Sequence, residues 1–226
     1  MHKSTIGHRD GEGLALSKGR LEAFSDGVLA VAITLLALNL AVDGPGHGPL
    51  LRQLGRDWPS FVAYLVSFFI IGIVWVNHHA LVQTVASVDR TLLFLNLVFL
   101  LFVVLIPFAT ATMAQYLTRG GQDAQVAMAL YGVVLEGMGG SFAAMFGWML
   151  YRGDTYEALS REARRAIWSR FSVGALAYLV AIGVAFVSAP AALAIIGLVA
   201  VYYVVERTPS FAAPSPSSAE GRDQGQ

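Results

Sequence analysis

Residues 92–113, LLFLNLVFLLFVVLIPFATATM, carry no charged side chain over their whole length. About 20 such residues, rising ~1.5 Å each, make a helix that crosses the ~30 Å hydrocarbon core of a bilayer. Five further stretches read the same way: 21–42, 58–76, 124–151, 171–188 and the shorter 191–205. The expected fold is an all-α integral membrane protein with six transmembrane helices per subunit and no inverted repeat. Charged residues make up 13% of the chain, against about 25% in soluble domains. Pro190 suits the first turn of a helix, and so a tight hairpin after 188. One unbroken helix from 171 to 205 would be ~50 Å long, too long for a single crossing.

The remaining composition excludes several classes. Net charge is zero, which leaves no nucleic-acid footprint. There is no cysteine, so neither a disulfide framework nor a thiolate metal site can form. The start of the chain is too polar for a signal peptide, so insertion falls to the first apolar helix. Basic residues set the orientation. With both termini cytoplasmic, twelve of the fifteen lie inside and only Arg52, Arg56 and Arg119 lie outside. Residues 1–17 read as a polar cytoplasmic segment, 18–205 as the membrane domain, and the Pro/Ser-rich 206–226 as a disordered cytoplasmic tail. The connection 152–169 reads as the start of an amphipathic helix whose basic face lies under anionic lipid headgroups.

The first segment, RLEAFSDGVLAVAITLLALNL at 20–40, joins a polar base to an apolar upper stretch. At ~100° per residue, Val31, Thr34 and Leu38 share one narrow face with Arg20, and Leu35 lies at its edge. Phe24 falls near this face. Asp26 falls more than about 100° away from it. If the stripe looks down an axis, Asp26 points sideways into neighbouring helices and acts as scaffold rather than filter. A carboxylate at membrane depth costs at least about 2.5–3.5 kcal/mol and so needs a partner. The donors at matching depth are Trp75, Asn77, His78, His79 and Asn96. At least one histidine is expected to bond Asp26 or Ser25. Adjacent His78 and His79 point about 100° apart, so both binding one metal is disfavoured and no metal site is expected. In the third segment Asp89 can cap the helix start, and Pro107 is expected to loosen its last turns. The fourth is rich in Gly and Ala, which suggests close helix contact. Its Glu136 has no assigned role.

RLEAFSD at 20–26 carries an R-x-x-x-F-S-D signature; WVNHH at 75–79 and DRTLLFLNLVFLLFVVLIPF at 89–108 follow in order. Together these resemble the prokaryotic branch of the TMEM175 potassium-channel family over about residues 18–205. The resemblance implies a homotetramer of six-helix subunits in the plasma membrane, with the first helices around a central pore. It implies a narrow apolar ring at Val31, a hydroxyl near the ion path at Thr34, with potassium close by, and a further apolar ring at Leu38. Arg20, Phe24, Ser25 and Asp26 are, by the same resemblance, packed against the second and third helices with their Trp, His and Asn groups. Members often carry Ile or Leu where Val31 stands, which would make this ring wider.

The function implied is a potassium-preferring cation leak through a hydrophobic constriction. No Thr-Val-Gly-Tyr-Gly stretch is present for a carbonyl filter. No cofactor is expected, and membrane lipid and further copies of the chain are the expected partners. The alternative is a proton-coupled secondary transporter using Asp26, Glu136 and His78/His79; an inverted repeat, common in such carriers, is not visible. A membrane enzyme holding a metal on His78, His79 and Glu136, and a non-conducting scaffold, are further readings.

Overall fold

The structure, a computed structural model, describes residues 9–40, 42–153 and 161–205. Seven helices follow in order: α1 (Arg9–Ala37), α2 (Leu50–Arg56), α3 (Trp58–Thr84), α4 (Arg90–Leu117), α5 (Gly121–Arg152), α6 (Arg161–Ala185) and α7 (Ala189–Val205). The expected disordered tail lies outside the described residues, as do the first eight residues and 154–160 of the basic connection.

The expectation of six crossing helices is overturned. Four helices are long and apolar enough to cross a bilayer: α3, α4, α5 and the 164–185 stretch of α6. In α1, residues 20–37 include Arg20, Glu22 and Asp26, and the helix stops at Ala37 rather than running on to residue 42. At the other end α7 has 17 residues, about 26 Å of rise against ~30 Å of hydrocarbon. The short α2 was not expected at all. The protein is thus an all-α, multi-pass membrane protein, in which α1 carries three charges in its apolar half and α7 is short.

Local sequence explains most helix ends. The α4 start is capped by Asp89, whose side chain accepts from the Leu92 N–H at 2.8 Å. Pro59 sits in the first turn of α3, where its missing N–H is harmless. Gly153 closes α5 with φ 68°, and its N–H bonds Met149 O at 3.1 Å. After Ala37 the backbone of α1 tightens into i→i−3 bonds at Leu38, Asn39 and Leu40, so Leu38 lies in a turn, one residue past the helix. The following loop is clasped by buried Gln53, which bonds the N–H and C=O of Gly44 and the C=O of Gly48 at 3.0–3.1 Å. The expected hairpin before Pro190 is present between α6 and α7.

Helix α4 lies at the centre and packs on α5, α1 and α3; α6 and α7 continue from α5. Phe99, Val103, Ile106, Ala109 and Met113 of α4 are buried against Met128, Tyr131, Leu135 and Met145 of α5. One polar group crosses this core: Ser67 Oγ lies 2.8 Å from both Thr110 Oγ1 and Tyr131 OH, tying α3, α4 and α5. Helix α4 continues without a break through Pro107. The small residues of α5 act at two places. A Cβ on Gly137 would sit 2.2 Å from the Phe102 ring, and one on Gly132 would sit 2.6 Å from Ile182. Added at Gly139 or Gly140, it would meet nothing within 4 Å.

Candidate functional site

The two faces of α1 differ sharply. Leu21, Ser25, Leu29, Ala32 and Leu36 recur at helical spacing and are buried on α3 and α4. Opposite them, Phe24, Val31 and Leu35 are 54%, 55% and 38% exposed, and Leu38 beyond the helix is 77% exposed. Thr34 lies on this outward stripe, and its hydroxyl donates to Val31 O at 2.8 Å. That bond uses the hydroxyl proton and leaves the oxygen lone pairs facing outward. Arg20 is exposed at the polar end of the same stripe. Phe24 is on it as well, unlike the packed position that the resemblance implied.

The buried face is held by a polar chain across three helices. His78 Nε2 lies 2.8 Å from Asn96 Oδ1, and Asn96 Nδ2 donates to Ser25 Oγ at 3.0 Å. Ser25 in turn donates to Leu21 O at 2.9 Å. All three side chains are buried. With Asn96 Oδ1 as acceptor, His78 must carry its proton on Nε2. The imidazole stacks on Phe99, with centroids 5.2 Å apart and planes within 6°. Its other nitrogen, Nδ1, is buried with no hydrogen-bond partner among the described residues.

Beside this chain, nearer the polar end, runs a second and more exposed set of contacts. Trp75 Nε1 donates to Asp26 Oδ1 at 3.0 Å. His79 Nδ1 lies 2.8 Å from Glu22 Oε1 without the alignment of a hydrogen bond, and Gln83 Nε2 lies 2.7 Å from His79 Nε2. Lys18 Nζ donates to the free carbonyls of Gln83 and Val85 at the end of α3, at 3.0 and 3.2 Å. Of the donors proposed for Asp26, Trp75 makes the bond. The expected histidine bond to Asp26 or Ser25 is not made among the described residues: His78 bonds Asn96, and Asn96 stands between it and Ser25. Asn77 joins neither set, and lies half-buried on the far side of α3.

Glu22 and Gln83 escaped the sequence reading. Spacing could have found both: Glu22 precedes Asp26 by four residues and Gln83 follows His79 by four, so each shares its partner's helix face. Glu22, Asp26 and His79 offer ligand atoms within 4.8 Å of one another, all partly exposed; this is the one three-residue cluster with metal-ligand character among the described residues. His78, His79 and Glu136 are not brought together: Glu136 stands midway along α5, on a crevice away from α1.

The arrangement defines a class: a multi-pass helical membrane protein in which one helix is locked by polar bonds on its inner face and presents an apolar stripe outward. Comparison with known proteins narrows it. A family model described as endosomal/lysosomal potassium channel TMEM175 matches residues 20–107, from Arg20 through most of α4. The chain is 46% identical over 205 residues to a protein of Streptomyces collinus named a potassium channel, covering 87% of this chain and 98% of that one. It is 35% identical over 198 residues to a potassium channel of Chamaesiphon minutus, covering 83% and 93%. The crystal structure of a lysosomal potassium-selective channel TMEM175 homologue from Chamaesiphon minutus superposes with a TM-score of 0.73 at 33% identity, covering 83% of this chain and 96% of that one. The chain belongs to the TMEM175 family.

Proposed function

We propose that the protein is a potassium-preferring cation leak channel of the plasma membrane, built from four copies whose α1 helices surround one pore. The outward stripe of α1 carries this reading. Phe24, Val31 and Leu35, with Leu38 in the turn just beyond, form an exposed apolar row on a helix whose opposite face is fixed by the Ser25–Asn96–His78 bonds. Facing one another around an axis, four such rows make a dry constriction. An ion passing it must shed water where no oxygen replaces it, which closes the path by dewetting. Thr34 supplies the exception. Its outward lone pairs offer four oxygens at one level, and potassium gives up its hydration more cheaply than sodium. Val31 sets the narrowest ring and Leu38 a second one beyond it, both without charge.

The relatives' names support a channel over a carrier. So does the place of Glu136, which stands on another crevice, apart from Asp26 and the two histidines of the would-be proton relay. Purified protein in liposomes, with potassium, sodium and proton gradients compared, tests the reading. Non-saturating potassium flux, larger than sodium flux and raised by Val31→Asn, is the expected result. Saturating flux coupled to proton movement would refute it.

A further inference from the structure

Glu136 is the residue that the pore leaves unused. It stands at the midpoint of α5, where an unpaired carboxyl is costly. Among the described residues it makes no hydrogen bond, and its Oε2 is buried without a partner. In front of it opens a crevice of about 920 Å³ between α3, α5, α6 and α7. The walls are aromatic: Trp75, Phe142, Trp168, Phe171 and Tyr178 all line it. The other charged lining residue, Arg170, lies in the first half of α6 and is engaged in interactions of its own.

We propose that this crevice binds a lipophilic amine in its protonated form, with the ammonium N–H donating to Glu136 and the hydrocarbon body lying among the aromatic side chains. Three features select that chemistry. The carboxylate needs a donor, and a charged N–H donor makes a stronger bond than a neutral one. Aromatic faces attract a cation and accept its apolar body at the same time. A volume of this size suits a small amphiphile. A quaternary ammonium supplies charge without the N–H, and an alcohol supplies a donor without charge, so both should bind less well. This inference does not depend on conduction, because the crevice lies apart from the outward stripe of α1.

Trp75 and Trp168 are two of the four tryptophans, so intrinsic fluorescence reports occupancy. The full chain is placed in phosphatidylcholine nanodiscs and titrated with N,N-dimethyldodecylamine, dodecyltrimethylammonium or dodecanol at matched membrane mole fractions. A saturable change with the tertiary amine is expected, at least tenfold weaker in Glu136→Gln. Gly139→Leu supplies the second arm: its Cβ position is open, and the added side chain enters the crevice one turn from Glu136, blocking the approach to the carboxyl while Glu136 stays. Binding should be lost there too, which keeps the test decisive if Glu136→Gln fails to fold. Equal amine affinity in wild type and either folded variant overturns the proposal, as does equally tight binding of dodecanol.

Discussion

Replacing Asn96 by Leu should destabilise the subunit by about 2–3 kcal/mol, and the size follows from what each partner loses. His78 is fully buried and its Nδ1 is already unpaired, so the Asn96 bond at 2.8 Å is its only one among the described residues. Removing it leaves a buried N–H unsatisfied, at about 1–3 kcal/mol. Ser25 loses less, because its hydroxyl still donates to Leu21 O; an interhelical side-chain bond in a membrane averages ~0.6 kcal/mol. Leucine keeps asparagine's branched shape and is bulkier, so no cavity term is added and any overpacking at this buried position adds to the loss. The assay is the unfolding midpoint in mixed micelles, followed by tryptophan fluorescence. Asn77→Leu is the control: Asn77 is only half-buried and belongs to neither set of contacts, so its change should stay within about 0.5 kcal/mol. A double-mutant cycle of Ser25→Ala with Asn96→Leu should show the two effects overlapping rather than adding. If Asn96→Leu and Asn77→Leu unfold together at the wild-type midpoint, the three-helix chain does not hold α1.

Two other outcomes follow from the geometry. Thr34→Val keeps the side-chain shape and removes the outward oxygen, so the potassium-to-sodium flux ratio should fall while the protein stays folded; an unchanged ratio would remove Thr34 from the ion path. Gly137→Val drives a side chain into the Phe102 ring, 2.2 Å from the first added carbon, and should cost about 1–3 kcal/mol by overpacking. Gly139→Ala, with nothing within 4 Å, should change the unfolding midpoint little; equal losses in the two would mean that α4 and α5 are not in close contact.

Much of the arrangement was legible because helical period is a strict rule. The ~100° step grouped Val31, Thr34 and Leu38 on one stripe with Leu35 at its edge, and turned Asp26 away from it. Asp89 and Pro190 marked helix starts through their own chemistry. The end of α1 was not legible: LLALNLAV stays apolar past Ala37, and the change to i→i−3 bonding has no residue signal in that run. Leu38 therefore sits beyond the helix, although the wheel places it on the stripe. Depth along the bundle brought the right donors near Asp26 but could not choose among them. The choice of Trp75 for Asp26, and of Asn96 for both Ser25 and His78, depends on rotations of α3 and α4 that are set by their packing on one another, on α5 and on α7. The count of crossing helices failed for a related reason, since hydropathy alone does not register how charges near Arg20 shorten the apolar run.

The chain has no cysteine, so single cysteines can be introduced without background and tested with a water-soluble cationic thiol reagent on channels in liposomes. Val31→Cys and Leu35→Cys should react and lose potassium flux, while Ala32→Cys, 1% exposed on the inner face, should be untouched. Should Val31→Cys keep full flux and react only with membrane-soluble reagents, the outward stripe faces lipid and α1 lines no pore.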